Sequence, residues 1–183
     1  MTTTTTTAGA TVTGERADLL QTLAQHRYFL RHTVQGLTDE QARQRTTASE
    51  LCLGGLIKHL TDVERKWVDF ILEGPSAMGG GWESGVPPQE VIDSWPANFR
   101  LLPEETVAGA LAEYEAVARR TDELVSTLPD LDASHPLPEA PWFEKGARWS
   151  HRRVLLHIMA ETAQHAGHAD IIRESMDGQK TMG

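Results

Sequence analysis

The stretch from His157 to Asp170, HIMAETAQHAGHAD, sets the strictest condition on the fold. Read as a helix, it places Glu161, His165 and His168 on one stripe with Val154, Ile158 and Ile172, so ligand-type groups face the helix's own core. Burying a polar group without a partner costs about 1 to 3 kcal/mol, and an unpaired charge far more. A fold that accepts this helix must supply partners for a carboxylate and two imidazoles in its interior.

Helical spacing recurs in three other places. From Glu15 to Leu37 the stripe is Leu19, Leu23, Leu30, Val34 and Leu37, with His26 on the same side. Thr38 followed by Gln41 forms a capping-box pattern, which predicts one or two connecting turns. A second long helix is expected from near Ser49 to Glu73, stopped by Gly74-Pro75, with Leu53, Leu56, Leu60, Val63, Trp67 and Phe70 buried and His59 beside that stripe. A third runs from Pro103 to Leu128 through Val107, Leu111, Tyr114, Val117, Thr121 and Leu124. The last starts at the N-cap Ser150 and runs to about Met176, ending before Gly178.

Two connections read as irregular. Residues 74 to 103 hold Gly79-Gly80-Gly81, Pro87-Pro88, Trp82 and Trp95, and the stretch PDLDASHPLPEAPWFEKGARW is proline-rich. No strand alternation or internal repeat stands out. The expectation is an all-α four-helix bundle with long connecting loops: residues 1–13 form a disordered threonine-rich tail and residues 14–183 a single domain.

Composition narrows the function. The chain has 183 residues and a formal net charge of -9, and its isoelectric point is near 5.3. This argues against nucleic acid and anionic membranes as partners. Cys52 is the single cysteine, so no internal disulfide forms; MTTTTTTAGATVTG resembles no secretory signal, and no apolar run spans a bilayer. A soluble cytoplasmic protein is the expectation.

Glu161 and His165, four residues apart, project to one side of a helix and suit a single divalent ion, with a third ligand from another helix. On spacing alone, a hydrogen-bonded pair without metal fits equally well. His59, near the middle of the second helix, is the leading third ligand. Three protein ligands leave a position open for water or substrate. His168 reads as an alternative ligand, a support for the ligand shell, or a substrate contact. His26 and His157 read as core histidines, and His32, His135 and His151 as surface or loop residues. Cys52 shares the face of His59 but reads as a small buried hydrophobe rather than a nucleophile.

The segments LCLGGLIKHLTDVERKWV and RWSHRRVLLHIMAETAQHAGHADIIRE resemble the second and fourth helices of the DinB superfamily, and more narrowly its uncharacterised and mycothiol-dependent transferase branch. The similarity covers roughly residues 15 to 178. It implies a DinB-like bundle whose metal is held by His59, Glu161 and His165. Many members carry histidine at the position of Glu161, whereas the mycothiol-dependent isomerases carry glutamate. Zinc is the first expectation for the metal, with nickel, iron and manganese also open, since mixed nitrogen and oxygen ligands select weakly among them.

Members of known activity use a metal-bound low-molecular-weight thiol such as mycothiol or bacillithiol. The resemblance therefore implies a metal-dependent thiol S-transferase in which a metal-bound thiolate attacks a small electrophile. Arg148, Arg152 and Arg153 cluster at the start of the last helix; Arg148 and Arg152 are the candidate contacts for a thiol cofactor carrying carboxylates. Trp142 and Trp149 line the site entrance or cap the core. Two other functions stay open: a metal-binding bundle without turnover, and a metal-dependent hydrolase in which His168 is the base. A homodimer is expected from the relatives, although no residue identifies its surface.

Overall fold

The computed structural model describes residues 12–79, Gln89 and 96–181. Residues 1–11 of the threonine-rich tail, and Gly80, Gly81, Trp82, Pro87, Pro88 and Trp95 of the long connection, lie outside the described residues. In chain order the elements are α1 (Glu15–His32), α2 (Asp39–Arg43), α3 (Leu53–Glu73), a 3-10 turn (Gly74–Met78), α4 (Val107–Thr127), β1 (Ser134–Pro136), β2 (Arg148–Ser150) and α5 (His151–Asp177). α1 packs on α4 and α5, and α3 packs on the same two helices, which makes the expected all-α bundle. None of the described helices is long and apolar enough to cross a membrane.

Local chemistry explains where the helices depart from their expected limits. α1 stops at His32 rather than Leu37: the amides of Thr33, Val34 and Gln35 bond carbonyls three residues back, and Gly36 takes a φ of 73°. The buried Arg173 guanidinium then donates to the Thr33 and Gln35 carbonyls at 2.8 and 3.0 Å, bonds that a continued helix would claim. α2 carries the expected capping box between Thr38 and Gln41.

α3 begins four residues later than Ser49. The Thr47 and Ser49 hydroxyls accept from the Ser49 and Leu51 amides, holding this stretch in local turns up to the N-cap Cys52. Its end at Glu73 is as expected, with Gly74 at a φ of 75°. α4 starts at Val107 under the Thr106 cap, not at Pro103, because Arg43 binds the carbonyls of Leu102, Pro103 and Glu105. α5 is capped by the Ser150 side chain and closed by Gly178 at a φ of 79°.

The proline-rich stretch is not wholly irregular. β1 and β2 pair antiparallel, with His135 opposite Trp149. Strands of three residues are too short to show a two-residue period.

A polar layer divides the core. At one end Leu23, Trp67, Val125 and Ile158 pack together, and at the other Leu30, Leu60, Tyr114 and Ala166. Between them Arg27 bonds Glu64 with Nη2 at 2.5 Å and Asp122 with Nη1 at 2.8 Å, and the Thr121 hydroxyl donates to Glu64 at 2.5 Å. The Arg27 and Glu64 side chains are 3% and 1% exposed, so this ion pair is sealed from water. Arg27, not its neighbour His26, takes the core-facing position; His26 is half-buried with its ring edge-on to Phe29.

Arg27→Met is expected to destabilise the protein by about 3 to 5 kcal/mol, because it strands a buried carboxylate. Adding Glu64→Leu should recover most of the loss. Urea unfolding of the single and double variants measures both, and a double variant no better than the single would contradict the assignment.

Candidate functional site

Two helices build the site. His59 stands on α3, half-buried, beside the buried stripe of Leu56 and Leu60. α5 runs unbroken from Ser150 to Gly178, so its i, i+4 spacing lines up His157, Glu161 and His165 on one face. Packing of α3 on α5 brings one ligand-type atom each of His59, Glu161 and His165 within 4.8 Å of one another.

These groups adjoin without bonding. His165 Nε2 lies 3.7 Å from Glu161 Oε2, and His157 Nε2 lies 3.9 Å from Glu161 Oε1, both beyond hydrogen-bond distance. Among the described residues no donor bonds the Glu161 carboxylate. One tetrahedral ion with ligands at about 2.1 Å would set its donors about 3.4 Å apart. The three donors thus fit a divalent ion in type and need only a small inward movement in position.

Burial dominates the electrostatics. It pushes the His59 imidazole down to about 4, helped by the neighbouring His165. His165 is likewise lowered, by burial first and His168 second, and burial raises Glu161. His157 falls to about 4 through burial and the nearby Arg153. At neutral pH the imidazoles of the cluster therefore present lone pairs rather than charge, the form a metal ion binds.

His168 lies one turn beyond, its Nδ1 3.3 Å from His165 Nδ1. A proton on His165 Nδ1, donated to His168, leaves the His165 Nε2 lone pair facing Glu161. Arg148 and Arg152 stand at the other end of α5. Arg152 is paired with Glu15 and Asp132, and Arg148 donates to the Ser134 carbonyl at 2.7 Å. Nine residues separate Arg152 from Glu161, about 14 Å along the axis.

Trp149 is half-buried against the core: it stacks on Trp67 at 4.8 Å, and Arg153 lies over its ring at 4.2 Å. Trp142 is exposed beside Phe143. Cys52 is buried, its thiol donating to the Phe99 carbonyl at 3.7 Å. His151 is buried rather than superficial, with Nδ1 3.0 Å from the Asp130 carbonyl, because the β1–β2 hairpin folds back over the start of α5.

Sequence reasoning missed Phe99, which stacks on the His59 ring with centroids 4.2 Å apart. Its only signal was indirect: the Gly54-Gly55 pair inside a helical stripe, which marks a close approach by other backbone. It also read His157 as a core residue; the ring does pack edge-on to Trp67 and Trp149, and its Nε2 reaches toward Glu161.

A family model described as mycothiol-S-transferase matches residues 18–178. No curated protein matches the chain at a significant level.

The lowered histidines make the metal-free protein sensitive to mild acid. Their folded pKa values lie below the unfolded value, so the unfolded chain binds more protons as pH falls from about 6.5 towards about 4, and stability falls with it. Thermal melts across this window should show a declining midpoint, with a shallower decline in His157→Gln. A midpoint that stays flat from about pH 7 to about pH 4.5 would contradict the burial argument.

Proposed function

The chain belongs to the mycothiol-S-transferase family, and on that premise we propose that it is a metal-dependent transferase that joins the thiol of mycothiol to a small electrophile. His59, Glu161 and His165 are the proposed metal ligands. The observation that carries the reading is the convergence of these three donors from two helices, with the imidazoles held neutral by burial and the carboxylate bonded by no donor among the described residues.

A divalent ion held there would lower the pKa of a thiol and so supply a thiolate at neutral pH. The chain's own groups set up the rest. His165 turns Nε2 inward because its Nδ1–H is donated to His168, so His168 is the proposed positioning residue for this ligand, and the thiol proton passes to solvent. The sulfur then forms its bond to the electrophilic carbon while the bond to the leaving group breaks with its electron pair. α3 and α5 wall the cluster, and its half-buried setting limits the water that competes with the thiol. Arg152 would contact the thiol cofactor only by giving up Glu15 and Asp132.

Elemental analysis of the purified protein should find about one divalent ion per chain, lost in His59→Ala and His165→Ala. Conjugation of mycothiol to monochlorobimane should fall by two orders of magnitude or more in both variants, since changes outside the ligand shell already cost about 10- to 100-fold. Conjugation that proceeds unchanged in the metal-free variants would refute the metal dependence, and retained metal without any conjugation would refute the transferase.

A further inference from the structure

His59 is held differently from its neighbours. The His165 ring has a polar contact through His168, but among the described residues no hydrogen bond reaches the ring of His59. Metal-binding histidines are usually oriented by a hydrogen bond to the second ring nitrogen. In its place stand two aromatic contacts: Phe99 face-on, with centroids 4.2 Å apart and planes 25° from parallel, and His165 edge-on at 4.8 Å.

Phe99 is brought there by a ledge cut into α3. A Cβ at Gly55 would lie 1.9 Å from the Phe99 carbonyl oxygen and 2.3 Å from its carbon, and one at Gly54 would lie 2.8 Å from Leu101 Cβ. Only a helix surface without side chains at these two positions lets residues 97–101 lie flat on it. Each glycine costs about 1 kcal/mol of helix stability against alanine, so the ledge is retained at the expense of α3 itself.

The strap is also bonded down. Phe99 O accepts from the Cys52 thiol at 3.7 Å, Lys58 Nζ donates to Arg100 O at 2.9 Å and Ala97 O at 3.4 Å, and the Leu101 side chain is buried. These anchors come from the two turns of α3 that lead into His59, so the position of the Phe99 ring is tied to the residue it covers.

We propose that Phe99, seated by the Gly54-Gly55 ledge, is the positioning residue for His59: its ring fixes the imidazole plane that faces Glu161 and His165. The inference rests on the metal reading of that cluster. With the stack removed, His59 is free to turn about its side-chain bonds, and the ion loses a preorganised ligand.

Cobalt(II) serves as the probe, titrated into metal-free protein with a competing chelator while its visible absorption bands are recorded. Phe99→Ala should weaken cobalt binding by about 10- to 100-fold and alter the bands, the effect of losing an orienting partner. Phe99→Tyr, which keeps the flat ring, should bind as the original does. Phe99→Leu, which keeps apolar bulk without a ring face, should behave as the alanine variant, and covers the case in which alanine fails to fold. Gly55→Ala should weaken binding by displacing the strap. Wild-type affinity and bands in Phe99→Leu or Phe99→Ala would overturn the inference while leaving the metal site standing. An original protein that binds no cobalt would overturn the metal reading and this inference with it.

Discussion

The Arg27–Glu64 ion pair is the constraint around which the bundle is arranged. Both charges are removed from water, and each is tolerable only while the other is in place. The pair, with Thr121 and Asp122, ties α1, α3 and α4 together at one level, leaving apolar packing on either side. A buried ionic contact of this kind allows little axial sliding, since a shift of one turn would separate the charges. On this account it sets the register of α3, and that register places His59, five residues before Glu64, across from Glu161 and His165.

The site obeys the opposite rule. In the ion pair every charged group meets a partner within hydrogen-bond distance, whereas the donors of the cluster lie near one another without bonding. Desolvation keeps its histidines neutral, and the carboxylate between His157 and His165 is left with no donor among the described residues. The fold supplies precise placement from below, through α3 and α5, and from one side, through the strap that carries Phe99. Rigid helices hold the donors, and a docked segment trims the freedom of the one least restrained.

The sequence made the grouping of His59, Glu161 and His165 legible because Glu161 and His165 share one helix face and His59 lies beside an apolar stripe, and the Glu161–His165 interval needs only one helix to interpret. Arg27 and Glu64 were equally available: Arg27 falls between Leu23 and Leu30 on its stripe, and Glu64 between Leu60 and Trp67. Two opposite charges at core positions of two helices are the signature of a buried pair, hidden only from a reading that follows apolar residues alone. Phe99 and the β1–β2 hairpin were not legible, since both depend on contacts between distant segments that no local period encodes. The early end of α1 has the same origin, because Arg173 on α5 takes its carbonyls.

The most direct measurement is X-ray absorption at the metal edge of the zinc-loaded protein, before and after addition of mycothiol. The account predicts a shell of nitrogen and oxygen donors alone in the first spectrum and a sulfur neighbour at about 2.3 Å in the second. An unchanged nitrogen and oxygen shell after saturating mycothiol would contradict it, because the thiol would then react, if at all, away from the cluster formed by His59, Glu161 and His165.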